Sequence, residues 1–456
     1  MLVASLTSLK KAWGSYPPAR ETKEITGRVE VSNEVLQNFK KEIKSLGSFK
    51  DLMEKLFESK ASEIIEAVLA GAVVFNASDV HFEPEKEKVR LRLRIDGVLE
   101  DVDFLPVSIY QGILNRIKLL SGLKLNIHEK AQDGRFSITS GKDEVEIRTS
   151  VLPGAWGENI VIRVLNPEIT KLNLENLGIR EDDLAVIERE LQSPTGMILT
   201  TGPTGSGKTT TLYAFIKKVL TPDIKIITIE DPIEYHIEGI SQTQVEPDKG
   251  YDFSSGLRSI VRQDPDVVLV GEIRDFETAE IAMQAALTGH LVLSTLHTND
   301  AAGAVPRLID LGVKPEIIAP AVNLLIAQRL VRKLCQKCAE PRIIKKDELQ
   351  TFKKILGRLP SRVKLPRELN DKTRIFESRG CEKCHSGYSG RLAVMELFQV
   401  DDEMERLILT SPGEAILKEA LKNKGFVSML EDAVIKIIAG LTDEKEIKRV
   451  LGDYAR

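Results

Sequence analysis

Apolar and charged residues alternate around Asp96-Gly97 in KVRLRLRIDGVLEDVDF, and the stretch RFSITSGKDEVEIRTS repeats the pattern around Ser140-Gly141. A period of two marks strands with one buried face, and an Asp-Gly pair between them marks a tight hairpin. The preceding SEIIEAVLAGAVV is apolar over several turns and predicts a helix. Residues 61–165 therefore predict a small α+β domain. Residues 1–60 are polar and helix-prone, and KKAWGSYPPAR reads as a loose arm, so they are expected to form a partly flexible N-terminal extension.

The pattern changes further on. NPEITKLNLENLGIREDDL reads as a linker running into a helix, a candidate hinge over 166–190. From 191 to 456 short, wholly apolar runs (GMILTT, KIITIED, DVVLVGE, HLVLSTLHT) alternate with helical segments such as KTTTLYAFIKKVL and FETAEIAMQAAL. Strands this apolar are buried on both faces, which predicts an α/β domain with a parallel sheet between helices.

Chemistry attaches to the ends of these strands. GPTGSGKT follows the first of them and matches the phosphate-binding loop pattern, with Gly202, Pro203, Thr204, Gly205, Ser206, Gly207, Lys208 and Thr209 in order and Thr210 next. Glycines let backbone N–H groups turn inward around phosphates, and the helix N-terminus adds partial positive charge. Lys208 is placed to reach the β- and γ-phosphates of ATP and Thr209 to ligate Mg²⁺. DVVLVGEIRD is the Walker B candidate, with Gly271 where an aspartate is usual and Glu272 as the acid at the strand's C-terminal end. IITIEDPIE offers Glu230, Asp231 and Glu234 at a second strand end. Glu272 is expected near the metal and the attacking water, with Glu234 as the competing base. His290 and His297 flank one strand, about 20 Å apart at ~3.3 Å per residue. His297, at the C-terminal end, is the better γ-phosphate sensor, and His290 is expected to be structural or to meet a neighbouring subunit.

Composition narrows the setting. At 456 residues the chain is expected to form two or three domains, and its net charge of −4 gives no overall attraction to nucleic acid or membrane. The N-terminus lacks the basic region of a signal peptide, and no apolar run reaches the ~18 residues a membrane span needs. A cytosolic protein is expected. All four cysteines fall in two C-x₂-C pairs, Cys335/Cys338 and Cys381/Cys384, separated by 42 residues. In a reducing compartment this pattern predicts a structural tetrahedral Zn²⁺ site rather than disulfides, on an insertion spanning 331–396. His385 directly follows Cys384 and is a poor further ligand. Residues 339–380 hold twelve Lys or Arg against six Asp or Glu. That excess reads either as a solvated surface or as a docking face for an anionic partner.

Together the P-loop, the acidic box EDPIE, GEIRD and the histidine box closely resemble the secretion ATPase superfamily, in its type II secretion and type IV pilus assembly branch (GspE and PilB). SDVHFEP resembles the SDIHIEP signature that opens the family's N-terminal domain, and QDGRFS and EIRTSVLPGAWGENIVIRVL match that domain's end. The resemblance implies a RecA-like ATPase domain preceded by a PAS-like α+β domain. It implies a cytoplasmic homo-hexamer, peripheral to the inner membrane, acting on an inner-membrane platform protein and other pilus or secretion components. It also implies that Arg148 and Arg163, with Arg135 beside them, reach the nucleotide, and that Arg258, Arg262 and Arg274 serve subunit contacts. A single arginine in a strand is otherwise by default an exposed charge. The family's further N-terminal docking module is expected to need more than the sixty residues ahead of the domain at 61–165. A pilus retraction motor is the first alternative, but that branch ordinarily lacks the four cysteines. A nucleic-acid translocase is the second; no aromatic–basic strand-binding stretch supports it.

Overall fold

The computed structural model describes residues 28–29, 39, 42–140, 143–166, 172–382, 384 and 386–453. The chain divides into two compact units, Met1–Asn166 and Pro167–Arg456.

The first unit is a seven-stranded sheet. Its strands are β1 (Arg28–Val29), β2 (Asp79–Pro84), β3 (Lys88–Ile95), β4 (Val98–Pro106), β5 (Gln132–Ser140), β6 (Asp143–Gly154) and β7 (Gly157–Leu165), in the spatial order β1-β5-β6-β7-β2-β3-β4. All neighbours are antiparallel except β1 and β5. The Asp96-Gly97 turn closes β3 onto β4 with both residues at positive φ (48° and 84°), which is the backbone a tight two-residue hairpin requires. β5 and β6 pair as far as Ser140 and Asp143; residues 141–142 at the second expected turn lie outside the described residues.

The alternation sorts the β3 side chains. Val89, Leu91, Leu93 and Ile95 enter the core, while Arg90, Arg92 and Arg94 line the other face. Three helices supply the rest of that core: Leu46–Leu56, Ala61–Val74 and Val107–Leu120. The first of them corrects the expected domain boundary at 61. Phe49 and Met53 are fully buried, and the Phe49 ring lies so close over Gly71 that a Cβ there would stand 2.4 Å from its Cζ. Residues 46–56 are thus part of this domain; the KKAWGSYPPAR arm falls outside the described residues. Phe49→Ala is expected to destabilise the unit by ~3–5 kcal/mol, read as a lowered midpoint in denaturant unfolding.

The second unit is a RecA-like α/β domain. β8 (Gly196–Thr201), β9 (Ile226–Glu230), β10 (Ser241–Gln244), β11 (Val267–Val270), β12 (Leu291–Leu296), β13 (Val322–Leu334) and β16 (Tyr388–Gln399) form one sheet in the order β10-β9-β11-β12-β8-β13-β16. Every pair is parallel except β13 with β16. Separate apolar clusters cover its two faces, which explains why β8, β9, β11 and β12 are buried at every position.

Two expected boundaries move. The sequence suggests a hinge over 166–190, yet Leu174, Leu177 and Ile187 are buried in this unit's core and the helix Glu181–Leu191 belongs to it. The cysteine spacing suggests an insertion over 331–396, yet β13 and β16 are sheet strands in register from Leu324↔Gln399 to Leu334↔Tyr388. The insertion proper is residues 335–387. It contains a ribbon of β14 (Glu340–Ile343) and β15 (Arg374–Glu377) and the helix Lys346–Leu356. No helix among the described residues is long and apolar enough to cross a membrane.

Candidate active site and metal centre

β8 ends at Thr201, and the chain turns through the glycine-rich loop into the helix Lys208–Val219. Gly202, Gly205 and Gly207 all hold positive φ (145°, 78° and 86°), so the turn is open to glycine and strained for other residues. Two of these glycines also sit against β13. A Cβ on Gly202 would stand 2.4 Å from the Gln328 carbonyl oxygen, and one on Gly207 2.8 Å from Gln328 Nε2. Gln328 clamps the loop from the neighbouring strand. Its Nε2 donates to Ser206 O (2.7 Å), and its Oε1 accepts from Thr211 Oγ1 (2.8 Å). Pro203, Thr204, Gly205 and Thr209 are exposed, with Thr210 half-buried. Ser206 Oγ is buried without a partner, which fits a loop shaped to receive phosphate oxygens.

Lys208 Nζ donates to the loop's own carbonyls, Gly202 O (2.8 Å) and Pro203 O (3.3 Å). Burial pushes its amine below the usual lysine range; the Glu272 charge opposes that shift and Arg329 adds to it. Lys208 and Glu272 therefore share one electrostatic neighbourhood at the C-terminal edge of the sheet, where parallel sheets bind ligands.

Glu272 lies just past β11. Its carboxylate meets Arg274 Nη2 (2.5 Å) and His297 Nε2 (3.2 Å). Backbone bonds knit this corner to both neighbouring strands: Gly271 N donates to Ile229 O (2.8 Å) and Ile273 N to Thr295 O (3.0 Å). A Cβ on Gly271 would stand 3.3 Å from Ile229 O, a tight approach to β9 at the position where an aspartate is usual. His297 follows β12 and His290 precedes it, at opposite ends of the strand. His290 Nδ1 lies 3.0 Å from Ala285 O, a local contact at the end of the preceding helix.

Of the acids at the end of β9 and just after it, Glu230 is fully engaged. It is buried, accepts from Thr228 Oγ1 (2.6 Å) and Gln242 Nε2 (3.2 Å), and receives the Tyr213 hydroxyl. Gln242 also donates to Tyr235 O (3.0 Å) and accepts from Ile237 N (2.8 Å), which holds the loop carrying Glu234. Asp231 is exposed and Glu234 half-buried. Arg258 pairs with Glu277 (2.6 Å) on the surface, and Arg262 closes the C-terminus of the helix Phe253–Val261.

In the first unit the register aligns the predicted arginines. Arg135 faces Arg148, Arg148 faces Arg163, Arg163 faces Asp79, and Asp79 faces Arg94. Directly opposed residues on adjacent strands share a face, so this is one row across the charged side of the sheet. Asp79 accepts from Arg163 Nε (3.2 Å) and meets Arg94 Nε (3.3 Å), while Arg148 Nε lies 3.5 Å from Glu146. Arg163 remains 54% exposed.

The cysteines converge at the base of the insertion. One sulfur from each of Cys335, Cys338, Cys381 and Cys384 lies within 4.8 Å of the others, and Cys384 Sγ is 3.5 Å from both Cys338 and Cys381. Zn–S bonds of ~2.3 Å in a tetrahedron place sulfurs about 3.8 Å apart, so the four fit a Cys₄ zinc site. Burial pushes the Cys384 thiol up to about 12, and a bound cation would favour its thiolate form. Positive φ at Gly380 and Gly387 makes the turn around the second pair, and Cys335 N donates to Gly387 O (2.9 Å). His385 lies outside the described residues. The base is anchored to the last helix, Glu444–Leu451: Arg332 pairs with Glu446 (2.8 Å) and Tyr388 donates to Asp443 (2.9 Å).

A family model described as "Type II/IV secretion system protein" matches residues 56–449. The chain belongs to that family. It is 44% identical over 401 residues to the type II secretion system protein E of Pseudomonas aeruginosa, covering 88% of this chain and 77% of that one. It is 39% identical over 392 residues to the type IV pilus assembly ATPase PilB of the same organism, covering 85% and 67%. Among solved structures, the pilus retraction motor PilT with bound ADP is similar at a TM-score of 0.53 and 26% identity, over 86% of this chain and all of that one. The chain is a P-loop ATPase of the secretion and pilus class.

Sequence reasoning missed Gln328 and Arg329. They lie on β13, some 120 residues after the phosphate loop that Gln328 clamps, in VNLLIAQRLV, where apolar residues surround them and only the paired polar residues at the end of a buried run stand out.

Proposed function

We propose that this chain is the motor subunit of a cytoplasmic homo-hexameric ring that couples ATP hydrolysis to assembly of a type IV pilus or a type II secretion pseudopilus. The ring would lie peripheral to the inner membrane and act through a platform protein. The observation that carries the reading is the cluster of Lys208, Glu272 and His297 beside a phosphate loop held by Gln328 of β13. In this reading the loop amides and Lys208 hold the β- and γ-phosphates, and Glu272 takes the proton of the attacking water. His297 monitors the γ-phosphate across Glu272, with Glu234 the alternative base. Thr209 would hold Mg²⁺, which when bound neutralises phosphate charge.

Arg148 and Arg163, with Arg135 at the end of the row, are proposed to close on the nucleotide, where guanidinium forks neutralise the transferring phosphoryl group. Closing before hydrolysis and opening after it gives the stroke. The four-cysteine centre favours a motor that builds or exports over one that retracts.

Each of Arg148→Ala and Arg163→Ala removes a charge-assisted contact and is expected to cut turnover about 10- to 100-fold with ADP affinity little changed. A strain complemented with Arg163→Ala is expected to lose fibre or exoprotein export. Unchanged hydrolysis by both purified variants would sink the closure model, and wild-type export in a deletion strain would sink the motor assignment.

A further inference from the structure

We propose that Arg329 is a catalytic arginine supplied by the nucleotide-binding domain itself, contacting the γ-phosphoryl group of bound ATP. The proposal rests on the ATPase reading of this site and adds a residue to it.

β13 runs beside β8 as far as Ala327, which pairs with Thr201, the residue before Gly202. There β8 turns away into the phosphate loop, while β13 continues paired only with β16, Arg329 opposite Val394. Arg329 thus stands one residue past Gln328, whose carbonyl and side chain both touch the loop. Successive strand residues face opposite ways. Gln328 turns to the P-loop helix, and Arg329 turns to the loop after β12 that carries His297.

Its partners leave the guanidinium available. Nη2 makes one long contact, 3.4 Å to Asn299 Oδ1 in that histidine loop. Among the described residues no carboxylate pairs with it, although it is half-buried. Its charge also reaches Lys208 and helps push that amine down. Two cations that sense each other at a partly buried edge repel, and a polyphosphate bound to both turns the repulsion into attraction. A planar fork then offers paired N–H donors to phosphoryl oxygens.

In hydrolysis the water oxygen bonds to the γ-phosphorus as the bond from that phosphorus to the β–γ bridging oxygen breaks. The water's proton passes to Glu272 and then to solvent, and the electron pair stays on ADP. Arg329 offsets charge on the γ-oxygens throughout. After phosphate leaves, its contact with Asn299 reports the loss to the histidine loop.

The test uses the purified full chain with Arg329→Ala and Arg329→Lys. Turnover, KM for ATP, binding of a fluorescent ADP, and trapping of ADP with aluminium fluoride and Mg²⁺ are measured. Arg329→Ala is expected to lower kcat about 10- to 100-fold, leave ADP affinity within about threefold, and abolish the trapped complex. Lysine restores part of the trapping. Wild-type kcat and trapping in Arg329→Ala would overturn the proposal. So would an equal loss of ADP binding, or loss of assembly on size exclusion with trapping intact, because either makes the role structural. If the wild type turned over no ATP, the ATPase reading would fall, and trapping would still decide Arg329.

Discussion

Glu272→Gln is expected to leave ATP bound and to cut turnover about 100- to 10,000-fold, the range a lost general base covers. Glutamine keeps the shape of the side chain and can still contact Arg274, but it cannot take a proton from water. Glu272 is the acid that sits in the Lys208 neighbourhood with a histidine on its other oxygen. Glu230 is unavailable because three donors already surround its carboxylate. The measurement is single-turnover hydrolysis beside equilibrium binding of a fluorescent ATP analogue. The same variant with wild-type turnover, and Glu234→Gln without any, would transfer the base assignment to Glu234.

Removing zinc is expected to unfold the insertion and spare the sheet beneath it. Structural zinc contributes on the order of 10–16 kcal/mol in small zinc-dependent domains, far more than a ribbon of two short strands and one helix supplies. Cys384→Ser deletes the sulfur nearest to two of the others, and what remains is a crowded thiol set with burial opposing ionisation. The expected outcome is loss of bound zinc in elemental analysis and rapid proteolysis within 335–387. ADP binding is expected to persist. Gln328 lies within β13 and Cys335 directly follows that strand, seven residues on, roughly 23 Å at ~3.3 Å per residue. Between them Arg332 and Glu446 tie that strand to the last helix. A Cys384→Ser protein with unchanged protease resistance would mean that the cysteines do not staple the insertion.

Some features could be read from the chain because they are local. The hairpin at Asp96-Gly97 depends on two residues' backbone preferences, and the phosphate loop on three glycines within six positions. The apolar runs of β8, β9, β11 and β12 announce burial on both faces, and hence a parallel sheet. Boundaries were harder. The short helix Leu46–Leu56 interleaves charged and apolar residues, and Phe49 and Met53, backed by the partly buried Leu46, Leu52 and Leu56, commit it to the core. Residues 331–334 and 388–396 adjoin the cysteines in sequence, yet their long pairing makes them sheet rather than insertion.

The sequence by itself determined the chemistry's vocabulary: a loop for phosphates, an acid at a strand end, a histidine, and four sulfurs in two pairs. Backbone geometry and ligand type act over a few residues, so short motifs suffice to specify them. Only the tertiary structure decided which groups meet. Register placed Arg135, Arg148 and Arg163 in one row, hydrogen bonding withdrew Glu230, and the meeting of β8 with β13 brought Gln328 and Arg329 to a loop far away in the chain. Those pairings rest on long-range packing, whose free energy depends on every strand being in place at once, and no local pattern encodes it.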